Sequence, residues 1–429
     1  MLDQGTSSSL DDSQICNPKR GSGQHAGRTY SYYAGYSEAF VASAIKGIFL
    51  RNGAIVLDPW NGAGTTTNLV SSLGFKAIGV DLNPVMNIVA RGSRASKFLT
   101  SINEANKLLI PRKIKCEPNS SMDPLHEWFT EKTIEGLRNI IRKLTKTGEG
   151  FFDPSESNQI SDAASLILIC LFSILKSEYN KSPYKSSNPT WVKPISNPSE
   201  RISIKSSDLE RRIKRMLATY ANTASPTSAR GPEPRLILAD SRDLPIGSDT
   251  IDAVITSPPY CTRIDYAIKM SIEHAIAFGK KDFDNLRRTL LGTTTVSKKI
   301  HSNALIGEYC RDLLRQIQTH ESKASGTYYF KNITQYFDGL GSSIKEIARV
   351  LKPGGDCFIV IQDSRYKNIQ ICLDQAVKDM GLLNGLSEAN SVTFSSKLTM
   401  SNINTASRRY ENEHPESREH VLHLKKGAI

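Results

Sequence analysis

The chain of 429 residues lacks any cysteine framework. Its seven cysteines (Cys16, Cys116, Cys170, Cys261, Cys310, Cys357, Cys372) are scattered, with no C-x-x-C pair and no ligand-like spacing. That predicts a reducing, cytoplasmic setting and no structural zinc or other metal. Long apolar runs are missing too. The longest, Ala163 to Leu175, lies between Asp162 and Lys176 and falls well short of the ~20 residues that span a bilayer, so it reads as a buried helix. The opening residues, MLDQGTSSSLDDSQ, have neither the basic start nor the apolar core of a secretory signal, and no membrane partner is expected. Acidic residues are in deficit, 43 against 55 basic ones. The net charge of +12 favours a polyanionic partner, because clustered Lys and Arg gain affinity by releasing counterions from phosphates.

What is present is an α/β pattern interrupted twice. Residues 1–27 are rich in Ser, Gly, Asp and Gln and read as a disordered tail. From Ser37 a helical pattern (Phe40, Ala44, Ile48) leads into a strand, Ala54 to Leu57, ending at Asp58. A glycine turn, a helix (Thr65 to Leu73) and a second strand (Ala77 to Val80) ending in Asp81 complete a βαβ unit. Residues 93–232 break the pattern and form a helical insertion, with helices predicted at Leu125 to Leu144, Ala163 to Glu178 and Leu209 to Leu217. The pattern resumes with the strands Arg235 to Ala239, followed by Asp240, and Ile251 to Ile255. A second insertion, 266–326, carries basic patches at Lys280-Lys281, Arg287-Arg288 and Lys298-Lys299 and is the candidate region for recognising a polyanionic target. A helix from Tyr329 to Leu351 is ended by Lys352-Pro353-Gly354-Gly355 and followed by a strand, Asp356 to Ile361. A last helix (Ile369 to Met380) and two strands, near Val392 to Phe394 and Glu419 to Leu424, finish the sheet. The core is thus expected from 28–92, 233–265 and 327–429.

Asp58-Pro59-Trp60-Asn61-Gly62-Ala63-Gly64-Thr65-Thr66 sets two glycines between strand and helix, where backbone can approach a ligand and a helix N-terminus offers free N–H groups. Asp81 closes the next strand about twenty residues on, where a carboxylate can accept ribose hydroxyls. Asp240 closes the third, where one can accept from an adenine amino group. Acids at the carboxyl ends of successive strands mark the usual ligand crevice of an open α/β sheet.

After the fourth strand comes Ser257-Pro258-Pro259-Tyr260. An amino group on a heterocycle is a poor nucleophile, its lone pair being delocalised into the ring. Ser257 Oγ and the Pro258 carbonyl can hold its two N–H bonds and favour a pyramidal nitrogen, the prolines stiffen the loop, and Tyr260 can stack on an extruded base. A dehydrogenase would share the first turn but not explain this tetrapeptide. Carbon-5 methylation needs a thiolate directly after proline, whereas Tyr260 separates Pro259 from Cys261, which reads as packing. His420 and His423, three apart on a strand, face opposite sides and do not read as metal ligands.

The DPxxGxGTT turn followed by SPPY resembles the amino-methyltransferase family of DNA modification enzymes, which methylate cytosine N4 or adenine N6. The family usually has Phe where this chain has Trp60, so an aromatic is kept. The resemblance implies a class I methyltransferase fold, with a mostly parallel seven-stranded sheet, and S-adenosylmethionine as cofactor. It places Asp58, Trp60, Gly62, Gly64 and Thr65 around the methionine part, Asp81 on the ribose, and Asp240 with Leu244 on the adenine. The aromatic segment Tyr32 to Ser37, with Tyr36, sits where the family has another cofactor-binding segment. It also implies double-stranded DNA with a flipped base as substrate, and a context compatible with a restriction or defence-system partner. Serine first in the tetrapeptide is commoner among cytosine-N4 enzymes, and Asp or Asn among adenine-N6 enzymes, so Ser257 points to cytosine. Adenine N6, an RNA base, or an inactive nucleic-acid-binding subunit are the alternatives. Which insertion reads sequence stays open at this point.

Overall fold

A computed structural model describes residues 15–18, 30, 35–110, 123–145, 148–188, 190–226, 231–261, 264–297, 306–396 and 417–428. Five strands, β1 (Ile55–Asp58), β2 (Lys76–Asp81), β3 (Arg235–Leu238), β4 (Ile251–Thr256) and β5 (Leu351–Gln362), run parallel in the order β3-β2-β1-β4-β5. A small hairpin, β6 (Ser364–Tyr366) and β7 (Ile369–Ile371), stands apart. The sheet is completed by β9 (Ser417–Lys426), antiparallel between β5 and β8 (Leu386–Ser396).

Strand side chains alternate between two faces. Val56, Ala253, Ile255, Phe358, Val360 and Val421 pack against α1 (Glu38–Lys46) and α2 (Thr65–Ser72). Their neighbours Leu57, Val254, Cys357, Ile359 and Leu422 point the other way, toward the helices that cover the opposite face. Such two-sided burial is what a parallel sheet requires. Asn83 caps α3 (Pro84–Ala95) through its side chain, with Pro84 at the first helical position.

The first insertion builds its own core. The helices α4 (Leu99–Leu108), α5 (Glu131–Leu144), α6 (Asp162–Lys181) and α7 (Ser206–Ala221) pack around Leu166 to Phe172 together with Val85, Ile88 and Val89 of α3. The second insertion divides. After α8 (Tyr266–Lys269), α9 (Ser271–Phe278) joins that helical core through Ile272, Ile276 and Phe278. Past α10 (Phe283–Thr289), α11 (Gly307–Thr319) packs with α12 (Phe330–Val350) and α13 (Leu373–Leu383) against the sheet. Arg138 fixes the junction: its guanidinium is forked onto Asp123 and donates to the Ala275 and Ile276 carbonyls, all buried. Such a pair is costly to break from one side.

Four readings from sequence need correction. Ile15 to Pro18 do not belong to a disordered tail: Ile15 is buried, the Cys16 N–H donates to Ser43 Oγ, and the Ser37 N–H donates to the Pro18 carbonyl. Residues 1–14 and 19–27 of that expected tail lie outside the described residues. The helix expected from Leu125 is a short 3-10 turn, Pro124–Glu127, then α5, because Trp128 leaves to donate its indole N–H to the Lys193 carbonyl. Strand β5 begins at Leu351 rather than Asp356; Ile251 pairs with Leu351 and Ala253 with Asp356, so Lys352 to Gly355 bulge against Asp252 alone. The last helix starts at Leu373, since Ile369–Ile371 are used by the hairpin. No helix among the described residues is long and apolar enough to cross a membrane.

Candidate active site

The carboxyl ends of β1, β2, β3 and β4 open on one cleft. Tyr36, Asp58, Trp60, Gly62, Thr65, Asp81, Asp240, Ser257, Pro258, Pro259 and Tyr260 all line it. Residues from Tyr36 to Tyr260 are therefore gathered by the strand order, which places β1 between β2 and β4. Two expected residues lie elsewhere. Gly64 sits at the N-cap of α2 with φ +77°, where a Cβ would come 2.7 Å from that of Ala90, so its role is to let α2 pack on α3. Leu244 is 3 % exposed, and its peptide is spent on α12: its N–H donates to Glu346 and its carbonyl accepts from Arg349. Ser241 and Leu82 line the cleft instead. Tyr32 to Ala34 lie outside the described residues.

Asp58 is the hub. It is 1 % exposed and accepts from Thr256 Oγ1 at 2.6 Å, the Tyr36 hydroxyl at 2.8 Å and the Trp60 N–H at 3.1 Å. Desolvation pushes its carboxyl above the ordinary range against the pull of those donors. Through Thr256 it welds the glycine turn to the residue just before Ser257. Asp81 is held by its own turn, accepting from the Asn83 N–H at 2.8 Å and the Gly62 N–H at 2.9 Å. Burial lifts its carboxyl to about 6. Asp240 carries a side-on arginine, Arg242, with Nε 2.8 Å and Nη2 2.5 Å from its two oxygens.

The Ser257–Tyr260 loop is pinned from behind. Tyr336 of α12 donates to the Pro259 carbonyl at 2.9 Å, and the Tyr260 N–H donates to the Tyr266 hydroxyl at 3.1 Å. Gly292, at φ +78°, lies so close that a Cβ there would come 2.8 Å from the Tyr260 carbonyl. Met86, Met270, Leu290 and Leu291 add an apolar wall. Behind Met270, the fully buried Glu273 accepts from the Tyr30 hydroxyl and pairs with Lys176. Cys261 is buried, and desolvation holds its thiol far above the range in which a thiolate forms. Its place under the loop is packing.

Sequence reasoning missed Thr256, Tyr266, Tyr336 and Gly292. Thr256 adjoins the tetrapeptide and was within reach; Tyr336 is 77 positions from its partner, with no local signal. Replacing Tyr336 with phenylalanine leaves the Pro259 carbonyl without its donor, a loss of roughly 1–3 kcal/mol for a buried group. Single-turnover methyl transfer is expected to slow about tenfold while cofactor affinity, read by calorimetry, stays the same.

A parallel sheet closed by an antiparallel strand pair, with a glycine turn after β1 and acids ending three successive strands, is the architecture of the class I S-adenosylmethionine-dependent methyltransferases. The residues suit that cofactor: two carboxylates facing the cleft for hydroxyl and amino donors, a close-approach glycine in the turn, and apolar Met86 and Leu291 beside them. The DNA methylase family model matches residues 251–427, covering the Ser257–Tyr260 loop and the second half of the sheet. The chain is 26% identical over 393 residues to the Type II methyltransferase M.BsoBI of Geobacillus stearothermophilus, covering 80% of this chain and 75% of that protein. It is 24% identical over 386 residues to the Type II methyltransferase M.AvaI of Nostoc sp., covering 79% and 75%. Among solved structures, a SAM-dependent methyltransferase from Methanosarcina mazei overlies 90% of this chain and 98% of its own at 8% identity and a TM-score of 0.30. The Bacillus YcgJ protein does so over 91% and 98% at 9% identity and a TM-score of 0.33. Residues 251–427 thus match the DNA methylase family and the chain as a whole is similar to Type II methyltransferases; S-adenosylmethionine is the cofactor of the fold.

Proposed function

We propose that this enzyme methylates the exocyclic N4 of cytosine in double-stranded DNA, at a base turned out of the helix into the cleft. The observation that carries the reading is the placing of Ser257, Pro258 and Tyr260 in the same cleft as Asp58, Asp81 and Asp240. The bound cofactor supplies an electrophilic methyl group on a sulfonium sulfur. The protein supplies position: Ser257 Oγ and the Pro258 carbonyl accept hydrogen bonds from the amino group, which gives up one proton to solvent as the methyl arrives, Tyr260 covers the base, and the buried hub at Asp58 keeps turn and loop in register. Stacking of about 1–3 kcal/mol offsets much of the cost of extruding the base.

Serine in the first loop position favours cytosine over adenine. The nucleic acid is assigned to the face where the insertions meet, at which Arg287 lies 5.8 Å above the ring of Trp191. Several expected phosphate ligands are already committed: Lys281 pairs with Asp153 and Arg287 with Asp265. Arg288 remains a candidate, and Lys298 and Lys299 lie outside the described residues. Likeness to Type II methyltransferases supports a protective role beside a nuclease partner.

Mass spectrometry of nucleosides from DNA of a host expressing the protein tests the assignment, with N4-methylcytosine expected. N6-methyladenine alone would overturn the choice of base. No new methyl mark in either DNA or RNA would overturn the transfer reaction.

A further inference from the structure

We propose that Arg242 is a positioning residue that makes Asp240 a selective reader of the cofactor's purine amino group; the inference rests on the cofactor assignment above. Asp240 and Arg242 are two residues apart, yet the side chains turn back on each other. The Arg242 backbone N–H and Nε both reach Asp240 Oδ1, at 2.9 and 2.8 Å, while Nη2 reaches Oδ2 at 2.5 Å. A guanidinium fork in this arrangement fixes the plane of a carboxylate as a lysine ammonium cannot. The same Nη2 also donates to the Thr289 carbonyl at 2.8 Å. Thr289, Leu290 and Leu291 form part of the wall of the same cleft, and Leu291 is followed by Gly292, tight against Tyr260. Arg242 therefore sets both the orientation of Asp240 and the distance from it to that wall.

A carboxylate free to swivel can turn away from an unsuitable ligand; one clamped by a fork cannot. Clamped, Asp240 presents an acceptor to the purine edge, which an amino group satisfies and a carbonyl oxygen opposes. The readout is thus the ratio of dissociation constants of two product analogues: S-adenosylhomocysteine, with a 6-amino purine, and S-inosylhomocysteine, with a 6-oxo purine. A merely structural role for Arg242 would scale both constants together.

Calorimetry on the full chain is expected to show the wild type preferring the amino analogue by about 30-fold or more, in line with a charge-assisted hydrogen bond lost and replaced by repulsion. In Arg242→Ala, and in Arg242→Lys, which keeps the charge without the fork, the preference is expected to fall below about threefold. Circular dichroism melting of both variants checks that the fold persists, and the lysine variant carries the test if the alanine one does not fold. A preference unchanged in the folded variants overturns the inference. Equal binding of both analogues by the wild type overturns it too, while leaving methyl transfer intact. A wild type that binds neither analogue would count against the cofactor assignment itself.

Discussion

Replacing Ser257 with alanine is expected to lower the rate of methyl transfer about 100- to 1000-fold, the loss typical when one preorganised hydrogen-bonding group aimed at a reacting centre is removed. The reason is geometric. Ser257 follows directly on Thr256, whose hydroxyl is bonded to the buried Asp58 at 2.6 Å, so the serine is placed by the sheet and not by the cofactor. Its removal leaves Asp81, Gly62 and Asp240 untouched. Affinity for S-adenosylhomocysteine is therefore expected to stay within about threefold of wild type, an uncoupled pattern characteristic of a group acting only in the transition state. Rapid-quench transfer of a labelled methyl group, set beside calorimetric binding, checks both halves. A full rate in Ser257→Ala would move the catalytic centre away from this loop.

The features legible in the sequence were those held by local chemistry. Asp58, Asp81 and Ser257 each end or follow a short apolar strand, and a strand's carboxyl end faces one crevice whatever the rest of the chain does. What escaped was set by distance or by a bonding choice. Leu244 has the right position after β3, but Glu346 and Arg349 of α12, roughly a hundred residues on, claim its peptide. Lys352-Pro353-Gly354-Gly355 carries ordinary turn chemistry, yet pairing of Leu351 with Ile251 starts the strand before the bulge. The stretch 266–326 read as one insertion, yet α9 and α11 pack into two different cores. Ile15 to Pro18 stand in a polar stretch that reads as tail, but one buried isoleucine and two hydrogen bonds suffice to seat them.

Cofactor affinity and stability are expected to move in opposite directions as the pH falls through 6, both because of Asp81. Burial raises its carboxyl from 3.8 to about 6. Between those values the folded state binds the proton and the unfolded state does not, so folding gains stability as the pH drops through that window and loses it as the pH rises. Binding has the reverse sign. The ribose hydroxyls need an ionised acceptor, so affinity for S-adenosylhomocysteine should be level above about pH 7 and fall by up to about tenfold per unit below 6. Asp81→Asn removes the titrating group and keeps one of the two oxygens, which accept separately from the Gly62 and Asn83 N–H groups. It is expected to weaken binding about 100-fold at neutral pH, from the loss of two charge-assisted hydrogen bonds, and to flatten the pH profile. Calorimetry across the range tests this directly. A profile that keeps its slope in Asp81→Asn would hand the titration to Asp58, the other carboxyl that burial raises, and would place the ribose away from the end of β2.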